Sequence, residues 1–138
     1  MPVIRRGEPG DLEAVAAIQS TSPQAAQWRV TEYPQYEFTV SVSAGAVTGF
    51  LVWRPLGEGE CELLNLVVDP ARRRQGVGRQ LLDGLLQGQG NTVFLEVRES
   101  NLAARNFYKS LGFKEVSTRK EYYDQPSESA IVMKFHSC

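Results

Sequence analysis

The stretch VVDPARRRQGVGRQLL, Val67 to Leu82, decides how the rest of the chain is read. An apolar run ends at Asp69-Pro70, three arginines follow, Gly76 and Gly78 stand one residue apart, and apolar residues then recur at Val77, Leu81, Leu82, Leu85 and Leu86. That recurrence has the 3.6-residue period of an amphipathic helix, so the segment predicts strand, basic turn and helix. Without a Cβ the backbone at Gly76 and Gly78 can turn sharply and let an anion approach its amides. The first N–H groups of the helix lack partners within it and carry the positive end of its dipole. Arg72, Arg73 and Arg74 add charge at the same mouth. This order of residues suits a phosphate cradle, although a solvated basic turn can carry the same short pattern.

Spacing excludes two common nucleotide loops. The Walker pattern needs four residues between its glycines and a following lysine, and the dinucleotide fingerprint needs a third glycine where Leu81 stands. What remains, Arg73-x-x-Gly76-x-Gly78 after a strand, resembles the acetyl-CoA pyrophosphate loop of the GNAT superfamily of N-acetyltransferases.

Upstream, Val3 to Arg6 reads as a short strand, and Pro9 with Asp11 opens a helix carrying Leu12, Val15 and Ile18 at helical spacing. A short helix is expected about Gln24 to Val30, in a segment bearing two exposed-looking aromatics, Trp28 and Tyr33. Tyr36, Phe38, Val40 and Val42 alternate with polar residues, the period of a half-buried strand. Val47 to Trp53 returns beside it, a turn is expected over Pro55 to Gly59, and Cys61 to Val68 has the apolar run of a central strand. Downstream come a strand at Thr92 to Arg98, a helix at Asn101 to Leu111 closed by Gly112, and strands at Phe113 to Tyr122 and Ala130 to Phe135. The order predicts one α/β domain over residues 1–138, with a mixed sheet covered by helices on both faces.

Composition narrows the chemistry. Fifteen basic against 16 acidic residues in 138 leave a net charge of −1, so no global field draws the chain to nucleic acid or to an anionic membrane. Cys61 and Cys138 have no metal-ligand spacing, and the single histidine, His136, leaves triad chemistry little to rest on. The start, MPVIRRGEPG, lacks the apolar run of a signal peptide, and no segment reaches membrane-spanning length; a reducing, cytoplasmic setting is expected.

The second informative stretch is LEVRESNLAARNFYKSLGF, Leu95 to Phe113. Along its strand Val93, Leu95 and Val97 share one face, and Phe94, Glu96 and Arg98 the other. A carboxylate between apolar neighbours on a central strand is costly unless paired or working; Arg98 or another nearby base could pair with it. On the helix, Asn101, Arg105 and Tyr108 fall on one stripe, while Leu102, Phe107 and Leu111 are expected to lean toward the core.

Together, LNLVVDPARRRQGVGRQLL and LEVRESNLAARNFYKSLGF resemble the N-terminal protein acetyltransferases of the RimI type, and the likeness continues through Arg119-x-x-Tyr122-Tyr123 and Glu128 to Met133. The resemblance implies a GNAT fold, a mostly antiparallel sheet of about seven strands with about four helices. It implies acetyl-CoA as cosubstrate without a metal, and as acceptor the N-terminal peptide of a protein, with ribosomal proteins beginning in alanine among the candidates. Carried over residue by residue, it makes Glu96 the general base, directly or through a water, and Tyr108 the general acid. Gln75, Gly76, Val77, Gly78 and Arg79, with Arg73 and Arg74, would hold the pyrophosphate, Asn101 would bind near the pantetheine arm, and the main chain of Leu66, Val67 and Val68 would run beside it. In the family that last strand is bulged. Trp28, Tyr33 and Tyr122 are candidate walls of the acceptor entrance, although Gln27 stands where the family carries a proline before the tryptophan. A small amine or a lysine side chain as acceptor, and a CoA-binding or ribosome-associated module without turnover, remain alternatives.

Overall fold

The computed structural model describes residues 2–22, 28–87, 91–124 and 127–136. Its regular elements are β1 (Val3–Arg6), α1 (Leu12–Ser20), β2 (Glu37–Ser43), β3 (Ala46–Gly57), β4 (Glu60–Val68), α2 (Val77–Leu86), β5 (Thr92–Arg98), α3 (Leu102–Ser110), β6 (Lys114–Asp124) and β7 (Ser127–His136). Short 3-10 turns cover Pro9–Asp11, Val30–Gln35 and Pro70–Arg72. The seven strands form one sheet in the order β1-β2-β3-β4-β5-β7-β6. β5 is parallel to β4, and the β1-β2, β2-β3, β5-β7 and β6-β7 pairs are antiparallel. This is the mostly antiparallel α/β sheet of about seven strands that the family resemblance implies.

Two local expectations shift. β3 continues through Pro55 to Gly57, so the turn begins later than expected; this end of the strand is exposed, where a missing N–H is tolerated. The helix expected at Gln24 to Val30 falls mainly on residues 23–27, outside the described residues, and Val30 begins a 3-10 turn instead.

The chain divides into two compact units. The first, Met1–Arg54 with Leu63–Leu85, has a core of Val15, Ile18, Tyr33, Phe38, Val40, Phe50, Val52 and Val67. α2 turns Val77, Leu81, Leu82 and Leu85 inward, the face its apolar period predicts. It can settle onto β3 because position 49 is glycine: a Cβ there would stand 3.1 Å from the Val67 carbonyl oxygen and 3.2 Å from Val77 Cγ1. At the N-terminal side of α1, Arg5 holds Asp11 through two 2.9 Å hydrogen bonds, and that partner keeps the Asp11 carboxyl below its ordinary range.

The second unit, Pro55–Glu62 with Leu86–Cys138, is built on β5, β7 and β6. Val93, Leu95, Phe113, Ile131 and Met133 are buried in it. Tyr108 is buried as well, edge-on to Phe107 and Phe113 at ring-centroid distances of 5.3 and 5.4 Å. α3 is closed by Gly112 in the left-handed region, φ +105°, a conformation only glycine adopts without strain.

Candidate active site

In the second unit, Glu96 lies on β5 opposite Val132 of β7, and β7 in turn pairs with β6. The bulges in β6 set Arg119 opposite Ala130, which faces Arg98 on β5. From there Arg119 reaches across β7 on a diagonal, and its Nη1 donates to Glu96 Oε1 at 2.7 Å. The Arg119 guanidinium also lies 4.0 Å from the centre of the Tyr122 ring, and the bond to Glu96 raises its pKa above the ordinary arginine value. The other carboxylate oxygen, Glu96 Oε2, is buried and meets no hydrogen-bond partner among the described residues. A buried acceptor left without a donor is costly, and in a functional protein it marks a place where a ligand group can complete the bonding.

Arg98, the neighbour two residues along, is not the partner of Glu96. Its Nη1 donates to Glu128 Oε1 at 3.3 Å, while Glu128 Oε2 accepts from the Ser100 amide at 2.5 Å. The bonds to Ser100 hold the Glu128 carboxyl below its ordinary range, with Arg98 contributing. This carboxylate fixes the turn that leads into α3, where Asn101 is the N-cap and its Oδ1 accepts from the Ala104 amide at 3.2 Å. The Asn101 side-chain oxygen is thus committed to the helix N-terminus.

The expected stripe on α3 is only partly realised. Arg105 donates to Glu115 through Nε at 2.7 Å and Nη2 at 3.0 Å, and to the Glu99 carbonyl at 2.7 Å; it is a brace between helix and β6. Leu102, expected toward the core, is 61% exposed, whereas Tyr108 is 7% exposed. Packing rather than polarity set this: the ring of Tyr108 fills the space beside Phe113. Burial pushes the Tyr108 phenol well above its ordinary value, so it keeps its proton at neutral pH.

The first unit holds the basic turn. Asp69 ends β4, accepts from the Ala71 amide at 3.0 Å and donates its own amide to the Thr48 carbonyl at 2.9 Å. Arg73, Arg74, Gln75 and Gly76 then run exposed into α2. Gly76 has φ +81°, and Arg74 has φ +67°, a left-handed conformation uncommon for a residue with a side chain. The carbonyl of Gly76 accepts from Gln80 at 3.0 Å, so the amides of Val77, Gly78 and Arg79 precede the first helical bond. Arg73 is tied by Nη2 to Ser22 Oγ at 2.7 Å. On β4, Val67 is buried, Leu66 and Val68 are half-buried, and the Leu66 amide donates to Asn65 Oδ1 at 3.1 Å.

Of the expected acceptor walls, Trp28 and Tyr122 are 40% and 46% exposed, but Tyr33 is not a surface aromatic at all. It is 1% exposed, packs against Phe38 and Phe50, donates its hydroxyl to Gln19 Oε1 and accepts from Asn65 Nδ2 at 3.1 Å. Loop residence suggested exposure; two polar partners for the hydroxyl make burial tolerable. Arg119 and Glu128 were visible to sequence only as parts of a resemblance, since the partner of each stands on another strand. Among the described residues no group of three His, Cys, Asp or Glu side chains could hold a metal, and no helix is long and apolar enough to cross a membrane.

The profile of the Acetyltransferase (GNAT) family matches residues 11–113. The chain is 36% identical to the N-alpha-acetyltransferase RimI of Mycobacterium tuberculosis, over 81% of this chain and 73% of that one. It is 44% identical to the ribosomal protein bS18-alanine N-acetyltransferase of Haemophilus ducreyi over 54% of this chain, a match that spans 56% of the relative, little more than half its length. The crystal structure of the ribosomal-protein-S18-alanine N-acetyltransferase from Escherichia coli superposes with a TM-score of 0.82 at 32% identity, covering 100% of this chain and 96% of that one. A glycine turn opening α2, a strand carboxylate with an open oxygen and these three likenesses agree: the chain belongs to the acetyltransferase (GNAT) family.

Proposed function

We propose that the chain is an N-terminal protein acetyltransferase, moving an acetyl group from acetyl-CoA to a free α-amine, with a ribosomal protein that begins in alanine as its expected acceptor. The observation that carries this is Glu96: one oxygen tied to Arg119, the other buried and open to a donor. An α-amino group has a pKa near 8 and is mostly protonated at neutral pH, so it needs a base before it can attack.

The basic turn fits the diphosphate of acetyl-CoA. Arg74 and Gly76 in left-handed conformations shape the turn that carries Gln75, the amides of Val77, Gly78 and Arg79 precede the first helical bond, and Arg74 lies exposed beside them, an arrangement suited to an oxyanion. Arg73 braces the turn through Ser22, and Leu66, Val67, Val68 and Asn101 are the groups expected along the pantetheine arm. Bound there, acetyl-CoA supplies an acetyl thioester, whose C–S bond breaks as the acceptor nitrogen forms its C–N bond. Glu96 removes one proton from the ammonium and passes it to solvent. Tyr108, kept protonated by burial, gives its proton to the departing sulfur and regains one from the acylated nitrogen. Trp28 and Tyr122 are the exposed aromatics available to the acceptor peptide. The reading suits a reducing, cytoplasmic setting.

Acetyl-CoA-dependent thiol release tests this directly. Short peptides beginning with Ala or Ser should be turned over and the same peptides with a blocked amino end should not. Faster turnover of internal-lysine peptides or polyamines would move the acceptor to a side-chain or small amine. No heat on titrating acetyl-CoA into the protein would remove the reading altogether.

A further inference from the structure

We infer that Arg119 is the positioning residue of Glu96, dividing the two carboxylate oxygens between a fixed anchor and an open acceptor; this rests on the acetyl-transfer reading above. Glu96, Glu115 and Glu128 of the second unit each pair with an arginine, and the latter two have both oxygens occupied. Glu115 takes Arg105 on both oxygens, and Glu128 takes Arg98 on one and the Ser100 amide on the other. Glu96 takes Arg119 on Oε1 only, and Oε2 is the single buried side-chain oxygen or nitrogen without a partner among the described residues.

A pair made only to hold strands together has no reason to leave a buried oxygen short of a donor, since satisfying both is what the neighbouring pairs do. A carboxylate tethered at one oxygen cannot rotate to present either one. Its remaining lone pairs then face a single direction, the pre-organisation a proton transfer requires. Arg119 is itself 53% exposed and would swing freely were it held at one end alone. The Tyr122 ring under the guanidinium supplies the second restraint, so Tyr122, Arg119 and Glu96 form a chain of support running inward from the surface. Arg119 does not touch the acceptor in this scheme; it acts through Glu96.

The test uses the whole chain, acetyl-CoA and a free-amine peptide, with Arg119→Gln, Arg119→Lys, Tyr122→Leu, Glu96→Gln and the double variant Glu96→Gln/Arg119→Gln. Arg119→Gln should lower kcat on the order of 10- to 100-fold, the loss that follows a misplaced catalytic group. The KM for acetyl-CoA and the thermal midpoint should stay near the parent values. Arg119→Lys, which keeps one charged donor, should recover part of the rate, and Tyr122→Leu should cost roughly 2- to 5-fold. The decisive reading is the residual single-turnover rate in the double variant: if Arg119 acts through Glu96, its removal adds nothing once Glu96 is gone. A parental kcat for Arg119→Gln, or the same fold-loss with and without Glu96, overturns the inference while leaving the acetyl-transfer reading intact. A parental rate for Glu96→Gln, or none in the parent protein, overturns both.

Discussion

Each unit contains a polar cluster, one wholly buried and one running inward from the surface, and the two are built on opposite plans. In the first, Gln19, Tyr33 and Asn65 bond to one another: Asn65 Nδ2 serves both Gln19 Oε1 and the Tyr33 hydroxyl at 3.1 Å, and Gln19 Nε2 donates to the Trp28 carbonyl at 2.8 Å. In the second, Glu96, Arg119 and Tyr122 end in an oxygen that meets no donor among the described residues. The closed cluster ties α1, the 3-10 turn before β2 and β4 into one body. The other keeps one carboxylate oxygen unbonded among the described residues, the oxygen that the proposed function gives to the acceptor amine. Satisfied polar groups contribute stability and specificity of packing, whereas an unsatisfied one contributes only where a ligand meets it.

That contrast can be broken most sharply at Glu96. Glu96→Leu is expected to lower acetylation by on the order of 10²- to 10⁴-fold, the contribution of a positioned base. The urea midpoint should stay in place or rise, because a buried oxygen without a donor disappears and the exposed Arg119 turns to water. A large drop in stability instead would make Glu96 a structural residue. Asn65→Ala should do the reverse, costing about 1–3 kcal/mol in urea unfolding by stranding Gln19 and Tyr33; an unchanged midpoint would mean that water replaces the amide without loss.

A smaller effect tests the basic turn. Gly76→Ala meets no steric neighbour but must hold φ +81°, so a loss of roughly 1–2 kcal/mol is expected from backbone strain alone. Calorimetry should show weaker acetyl-CoA binding in the same variant, and undiminished affinity would separate the turn's shape from its proposed ligand. The smallest effect concerns Asp11, whose folded pKa is depressed, largely by its hydrogen bonds to Arg5. Its contribution is fully present above the ordinary carboxylate pKa of about 3.9 and vanishes as pH falls through the lower folded value. Asp11→Asn should therefore be less stable than the parent at pH 7 and converge with it in strong acid; an equal gap at both ends would point to packing rather than charge.

Much of this molecule is legible from local pattern. The alternation over Tyr36 to Val42 and the helical period from Val77 to Leu86 appear as β2 and the buried face of α2, because a strand or helix at a core boundary repeats its burial with its own geometry. Gly76 could be singled out for a like reason: its conformation belongs to one residue and to its immediate turn. Even Glu96 stood out, as a charge between Leu95 and Val97 on a strand.

What local pattern could not supply was partnership. Arg98 lies two residues from Glu96 on the same strand, yet Arg119 on β6 is the one that reaches it, because β7 lies between β5 and β6 and the bulges in β6 reset which residues stand level. Tyr33 looked like a surface aromatic until Gln19 and Asn65, from α1 and β4, gave its hydroxyl a place inside. Periodicity and glycine placement are properties of consecutive residues, so the sequence by itself determined most of the elements, their order and the glycine turn that opens α2. Hydrogen-bond satisfaction is a property of side chains brought together across strands, so only the tertiary structure decided which polar groups are closed off and which oxygen remains open.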